Sequence, residues 1–202
     1  MAIKSKAKPE AIARPAAACP ARWPAIVLLI ALALGGTLRL WGLGHQPPGC
    51  NQDEAAHAWN AWCLLKTGMD QAGVHWPLFY SRTIGSNDST LYIYLLIPFQ
   101  AIGGFNVVTM RLPSVLAGMA CIALVYWVAS KLFGRPAGAV AAVLTALNPW
   151  QLHLSRWGHA ANIGAFLGLC ALALMLLAGF WRPDDQQPRG RIYRLARLLS
   201  PG

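Results

Sequence analysis

The sequence is short of charged residues, and above all of acidic ones. Only 12% of its 202 residues are charged, and 7 Asp and Glu stand against 17 Lys and Arg, whereas soluble domains carry about 25% charged residues. Together with 56% hydrophobic residues and a mean hydropathy of +0.42, this shortage nearly rules out a soluble globular enzyme. The composition predicts an integral membrane protein with a few spans and one sizeable loop.

Several functional motifs are missing as well. The five cysteines are odd in number and scattered, which is typical of neither a disulfide framework nor a CxxC metal site. The sequence contains no phosphate-binding G-x-x-x-x-G-K-[ST] loop and no H-E-x-x-H zinc-protease motif. The net charge of +10 is not gathered with aromatic residues on one soluble face, so we expect no nucleic-acid partner.

Apolar runs predict about four transmembrane helices, since a span needs about 20 mostly apolar residues. Residues 1–22 are basic without apolar periodicity, which predicts a disordered cytoplasmic tail, and residues 182–202 form a second basic cytoplasmic tail. Arg39 lies near the outer end of the first span, where we expect it to snorkel or to pair with loop acids. The predicted module 23–181 has spans at about 24–43, 112–131, 136–153 and 162–181.

The segment 91–105 is apolar but short, and Pro98 and a Gly-Gly pair interrupt it. If it crossed the membrane, the basic turn 131–135 and the C-terminal tail would both lie outside, against the positive-inside rule. We therefore predict that 91–105 is an interfacial helix within a large outer loop, 44–111. The predicted fold is all-α, with both termini in the cytoplasm and the spans in the plasma (inner) membrane.

The outer loop carries two adjacent carboxylates, Asp53 and Glu54, before a helix-compatible stretch. A helix N-terminus favours the ionised form that a general base or a metal ligand requires. The plainer interpretation, which spacing alone favours, makes Asp53 an N-cap and Glu54 a first-turn residue without chemistry. His57 follows Asp53 by four residues, so a weak Asp53–His57 metal pair is geometrically possible. Cys50 and Cys63 share this loop and form either a disulfide or two unlinked thiols.

A second candidate site is the turn that contains Arg156 and His159 between two apolar segments. Polar residues in such a turn face water, lipid headgroups or an anionic ligand. Arginine holds a phosphate through its planar guanidinium. The alternative for Arg156, and for Arg111 at the start of the second span, is a role as an interface anchor.

Short motifs follow one another in a fixed order through residues 41–180. They are Asp-Glu-Ala at 53–55, Trp-Asn-Ala-Trp at 59–62, Trp-Pro-Leu at 76–78, Leu-Tyr-Ile-Tyr at 91–94, Arg-Leu-Pro-Ser at 111–114, Asn-Pro-Trp at 148–150 and Ser-Arg at 155–156. This ordered set resembles the N-terminal part of the GT-C class of membrane glycosyltransferases. Within that class it is most similar to family 39, the protein O-mannosyltransferase and aminoarabinose-transferase-like enzymes.

The resemblance implies a polyprenyl-phosphate sugar as donor and transfer to an acceptor on the outer face of the membrane. It implies Asp53 as the base that activates the acceptor, and Glu54 as its neighbour, which assists or binds a divalent ion. That ion is the one cofactor expected, while the sugar and the acceptor stay open. The substrate-binding residues expected in this site are Arg111, Arg156, His159 and Tyr92.

The sequence also departs from the family pattern. No carboxylate follows the Ser-Arg pair within 159–162, and 87–90 replace the expected Lys-Pro or Pro-Pro before the Leu-Tyr-Ile-Tyr run. Because family members have more spans, we expect this chain to be a truncated N-terminal half. The alternative is a non-catalytic protein of the same fold, degenerate or supporting a second membrane subunit. A small transporter is less favoured, because polar residues cluster at the outer ends of the spans.

Overall fold

The computed structural model describes residues 22–83 and 86–180. Within them the chain is mostly helical, which confirms the all-α membrane class; of the predicted tails, all but Arg22 lies outside the described residues. The elements in chain order are α1 (Trp23–Leu40), α2 (Gln52–Thr67), β1 (Tyr80–Thr83), β2 (Ser86–Ser89), α3 (Thr90–Gly103), α4 (Val107–Phe133), α5 (Arg135–Leu147), α6 (Pro149–Arg156) and α7 (Ala160–Leu177).

Among the described residues, α1, α4 and α7 have the length and apolar composition of a membrane span. They coincide with the predicted spans 24–43, 112–131 and 162–181. The longest, α4, has 27 residues, which at 1.5 Å per residue is about 40 Å. The apolar helices α3 and α5 are shorter.

The remaining predicted span, 136–153, is not one continuous helix. α5 ends at Leu147, and α6 begins at Pro149. Pro149 has no backbone N–H and disfavours a helical conformation at the preceding residue, and Asn148 is extended, with φ −60° and ψ 117°. The Asn148 side chain then accepts hydrogen bonds from the backbone N–H groups of Trp150 and Gln151. The sequence-based argument missed this break, and the four-span topology stays a prediction.

The segment 44–111 contains two helices and a short antiparallel hairpin. The N-cap of α2 is Asn51 and not Asp53: its side chain accepts from backbone N–H groups of the first turn, while Glu54 reaches back to the Asn51 N–H in a capping box. The helix expected over 91–105 is present as α3, with Pro98 inside it. The β1–β2 hairpin was not predicted from the sequence.

Helix α4 lies at the centre and contacts α1, α3, α5, α6 and α7. One apolar cluster joins α2, α3, α4 and α7, and a second joins α1, α4 and α5. Helix α6 approaches α4 so closely at Gly118 that a Cβ there would lie 2.1 Å from the Ser155 Oγ. The glycine therefore sets how near α6, and the turn that follows it, comes to α4.

Arg39 neither snorkels nor meets a loop acid, contrary to expectation. It is fully buried, and its guanidinium donates to the carbonyl groups of Gly35, Thr145 and Ala146. The last carbonyl groups of a helix lack hydrogen-bond partners within the helix. Arg39 provides the donors for two of these carbonyl groups at the end of α5. The side chain thus joins α1 to the point where α5 stops.

Candidate active site

Glu54 and Arg111 form a buried ion pair between α2 and α4. The Arg111 Nε lies 2.7 Å from one carboxylate oxygen of Glu54, and Nη2 lies 3.2 Å from the other. Both side chains are at most 1% exposed. This fork-to-fork geometry is the strongest form of the arginine–carboxylate contact.

The rest of the Arg111 guanidinium holds the segment between α1 and α2. It donates to the carbonyl groups of Leu43, Pro47 and Gly49. The predicted substrate-binding residue Arg111 is therefore occupied by protein groups, and its observed role is to fix the chain that leads to Asp53.

Glu54 also accepts from the backbone N–H of Gly158, 3.1 Å from Oε1. A Cβ at position 158 would lie 2.8 Å from the Met110 carbonyl oxygen and 3.0 Å from Glu54, so only glycine fits between them. Glu54 thereby joins the start of α2 to the turn before α7. The oxygens of Glu54 face protein donors, and its side chain is buried.

Asp53, in contrast to Glu54, is an exposed acid. Its side chain is 55% exposed, and Oδ2 lies 3.4 Å from the Nε2 of His159. His159 is held in turn, because its Nδ1 accepts from the backbone N–H of Ala161 as the N-cap of α7. A neutral imidazole that accepts a hydrogen bond at Nδ1 carries its proton at Nε2. In His159 the Nε2 faces Asp53. The structure thus brings together two residues from the two predicted sites.

His57 lies on the buried side of this pair. Its Nε2 is 3.6 Å from an Asp88 carboxylate oxygen, and its ring packs edge-on against Tyr92 and His159 at centroid distances of 5.6 and 5.9 Å. Burial lowers the pKa of His57, more than the nearby carboxylates raise it. The Tyr92 hydroxyl donates to the Met110 carbonyl at 2.9 Å, so the predicted substrate-binding residue Tyr92 supports the site from within.

Arg156 binds the end of α1. Its guanidinium donates to the carbonyl groups of Leu38, Trp41 and Gln46. Arg156 also lines an open cavity of about 510 Å³, together with His45, His153 and the prolines at 47 and 48. The guanidinium of Arg156, the predicted phosphate ligand, is thus used in packing beside this cavity.

A row of rings connects this cavity to Asp53. His153 packs on Trp157 with centroids 5.5 Å apart, and Trp157 packs on His159 at 5.6 Å. Tryptophan beside polar side chains is typical of the membrane interface. His153 and Gly158 lie in the turn that the sequence predicted as the second candidate site. Sequence reasoning did not single out Asp88, because only the tertiary fold places it beside His57.

Asp53 and His57 do not share a common centre in the way that the metal hypothesis expects. Asp53 faces His159, and His57 faces Asp88. No group of three His, Cys, Asp or Glu side chains with metal-site geometry occurs within 22–83 and 86–180. Cys50 and Cys63 are free thiols, which decides between the two states left open by the sequence.

The comparisons with known proteins give one family. A sequence model of the family described as dolichyl-phosphate-mannose-protein mannosyltransferase matches residues 88–193, just over half of the 202-residue chain. No curated protein and no solved structure matches the chain. The chain therefore belongs to this family of GT-C-type membrane glycosyltransferases, as its motif order predicted, and the family implies a lipid-linked sugar donor.

Proposed function

We propose that this member of the mannosyltransferase family transfers a sugar from a polyprenyl-phosphate donor to an acceptor on the outer face of the plasma (inner) membrane, with Asp53 as the base. The observation that carries the proposal is the position of Asp53. Its carboxylate is exposed beside His159, on a helix start that the buried Glu54–Arg111 pair holds in place. A base must be held in place and open to the acceptor at once, and Asp53 meets both requirements.

In the proposed reaction the acceptor hydroxyl or amine loses its proton to an Asp53 oxygen as its own heteroatom forms the bond to the sugar C1. The bond between C1 and the phosphate oxygen breaks, and its electron pair leaves with the lipid phosphate. The leaving group needs charge stabilisation and no further covalent chemistry. The His159 Nε2 lies 3.4 Å from the Asp53 carboxylate and keeps it oriented.

The leaving phosphate is assigned to the cavity at Arg156. Arg156, His45 and His153 line that cavity, and arginine binds phosphate by charge-assisted hydrogen bonds. The ring row His153–Trp157–His159 leads from it to Asp53. Arg156 thus keeps a substrate-binding role, while His159, Glu54, Arg111 and Tyr92 become positioning residues.

The test is transfer of a radiolabelled sugar from its polyprenyl phosphate by membranes that contain the chain, with and without Asp53→Asn. We expect the variant to insert normally and to lose transfer by about 10²-fold or more, the usual contribution of a general base. Unchanged transfer by Asp53→Asn would overturn the assignment of the base.

A matched control separates the base from the charge at the helix start. Gln52→Glu added to Asp53→Asn returns one carboxylate to the first turn of α2, one residue away from the original position. The double variant should keep the stability of the wild type and stay inactive. Recovery of transfer would mean that helix-terminal charge, and not a base at position 53, is what the reaction needs.

The same assay tests the divalent ion, which we retain as a candidate at Asp53. Loss of transfer in EDTA and its return with Mg²⁺ or Mn²⁺ would support the ion, and full transfer in EDTA would reject it.

The proposed orientation has its own experiment, in a Cys50→Ser/Cys63→Ser background. A membrane-impermeant maleimide should label Ser89→Cys on intact cells, whereas Phe133→Cys, at the opposite end of α4, should react only after permeabilisation. The reverse pattern would invert the topology and place Asp53 in the cytoplasm.

The second candidate function is a non-catalytic member that supports another membrane subunit. The observation that favours it is the stretch 159–162, which places His159 beside Asp53 and holds no carboxylate, whereas many relatives carry a second acid in this turn. This candidate expects no transfer by the wild-type chain alone, together with co-purification of a membrane subunit whose activity survives Asp53→Asn.

A further inference from the structure

We infer that the end of the molecule opposite the candidate active site binds the headgroup of an anionic phospholipid. A groove of about 900 Å³ opens there between the start of α1, the last turns of α4 and the start of α5. Three exposed cations line it: Arg22 just before α1, Lys131 in the last turns of α4 and Arg135 at the start of α5. A phosphodiester in the groove would contact all three helices.

Among the residues that the structure describes, no acid lies near the charges around this groove. All four Asp and Glu residues within 22–83 and 86–180 lie in the segment 44–111, on the far side of the molecule. Twenty residues of α4 separate Arg111 from Lys131, which is about 30 Å, the thickness of a bilayer's hydrocarbon core. The groove therefore lies one membrane thickness from the Glu54–Arg111 pair.

The helix ends strengthen the preference for an anion. Both α1 and α5 begin at the groove, and neither start has a side-chain cap. The positive end of each helix dipole therefore lies at the groove, beside the three cations.

The apolar walls of the groove select a lipid over a free anion. Ile26 and Leu29 of α1 are 53% and 65% exposed and line the same groove. Trp127 and Tyr126 lie opposite on α4, and the Lys131 Nζ is 5.7 Å from the Trp127 ring centre. Cations and indole rings above exposed aliphatic residues match a headgroup with its acyl chains.

The experiment titrates the purified full chain in neutral detergent with phosphatidylglycerol or phosphatidylcholine, and reads bound lipid by native mass spectrometry and the thermal midpoint. We expect phosphatidylglycerol alone to bind and to raise the midpoint, less so as NaCl rises. Lys131→Gln/Arg135→Gln should bind it about thirtyfold more weakly, the factor expected for two cations at an anionic headgroup.

The matched control is Lys66→Gln/Arg82→Gln, which removes one lysine and one arginine from the other end. Lys66 stacks over Trp62 at 4.6 Å much as Lys131 does over Trp127, and this control should bind phosphatidylglycerol like the wild type. The inference is overturned if both double variants lose binding equally or if Lys131→Gln/Arg135→Gln binds normally. The inference is also overturned if the wild-type protein binds phosphatidylcholine as well as phosphatidylglycerol. The same holds if inorganic phosphate raises the thermal midpoint of the wild-type protein as much as phosphatidylglycerol does.

Discussion

Glu54 and Arg111 lie 57 positions apart in the sequence and meet as a two-point ion pair, with Nε and Oε1 at 2.7 Å. Neither side chain is more than 1% exposed, so each charge has lost its hydration and depends on the other. The loss is compensated only because the remaining donors and acceptors also have partners, the carbonyl groups of 43, 47 and 49 and the N–H of Gly158.

Removing one partner of this pair should be far more damaging than removing both. Glu54→Gln or Arg111→Met leaves an uncompensated buried charge, which typically costs about 3–5 kcal/mol of unfolding free energy. Glu54→Gln/Arg111→Met should be more stable than the sum of the single changes predicts. Unfolding of the detergent-solubilised protein measures the coupling energy, and additive effects would contradict the pair as described.

The close approach of α4 and α6 should not tolerate a side chain at position 118. Gly118→Ala places a Cβ 2.1 Å from the Ser155 Oγ, and overpacking of this kind costs about 1–3 kcal/mol. Adding Ser155→Gly should recover much of the loss, because it clears the space that the new methyl group needs. Thermal midpoints of the three proteins give the comparison.

Gly164 provides the matched control on α7. A Cβ there meets no atom within 4 Å, so Gly164→Ala should leave the midpoint unchanged or raise it slightly through helix propensity. Equal loss from both substitutions would mean that alanine is harmful in these helices for another reason.

Acid should weaken the fold through His57. Burial lowers the pKa of His57 in the folded chain, so the unfolded chain binds a proton more readily. The unfolding free energy therefore falls as pH drops below the unfolded value of about 6.5, by up to about 1.4 kcal/mol per pH unit. Unfolding measured between pH 7.5 and 5.5 should show this slope in the wild type, a flatter profile in His57→Gln, and no flattening in His75→Gln at an exposed site.

Cys50 should be a slow nucleophile despite its exposure. Partial burial and the nearby Glu54 carboxylate raise the pKa of its thiol to about 11, about two units above an ordinary thiol. Since the thiolate is the reactive form, iodoacetamide should modify Cys50 roughly a hundredfold more slowly at pH 8 than an unperturbed thiol. The rate in a Cys63→Ser background should still be rising at pH 10, and a plateau near pH 9 would contradict the shift.

The sequence predicted the elements whose signal is local. The spans at 24–43, 112–131 and 162–181 match α1, α4 and α7, and the helix at 91–105 matches α3, because apolar runs and flanking charges mark them directly. Pro149 marks the break at Asn148 locally, but the length of the apolar run led to the prediction of one continuous span across it. The β1–β2 hairpin has short polar strands without alternation, so no periodicity marks it.

The site was predictable in its residue types but not in its pairings. Asp53 and His159 were named from separate motifs, and nothing in their spacing indicates that they lie 3.4 Å apart. The pairing of Glu54 with Arg111 depends on α2 packing beside α4, which is a tertiary fact. The family resemblance supplied roles for these residues, and the observed burial divides them into an exposed acid and its supports.

Arg39 sets an order of events for biosynthesis. Its guanidinium donates to the carbonyl group of Ala146, 107 residues further along the chain, so this partner does not exist when α1 leaves the ribosome. At about 5–20 residues per second, the nascent chain needs roughly 5–20 s more to reach it. During that time Arg39 lacks the carbonyl groups of Thr145 and Ala146 as hydrogen-bond partners. The contact between α1 and the end of α5 can form only after α5 has been synthesised.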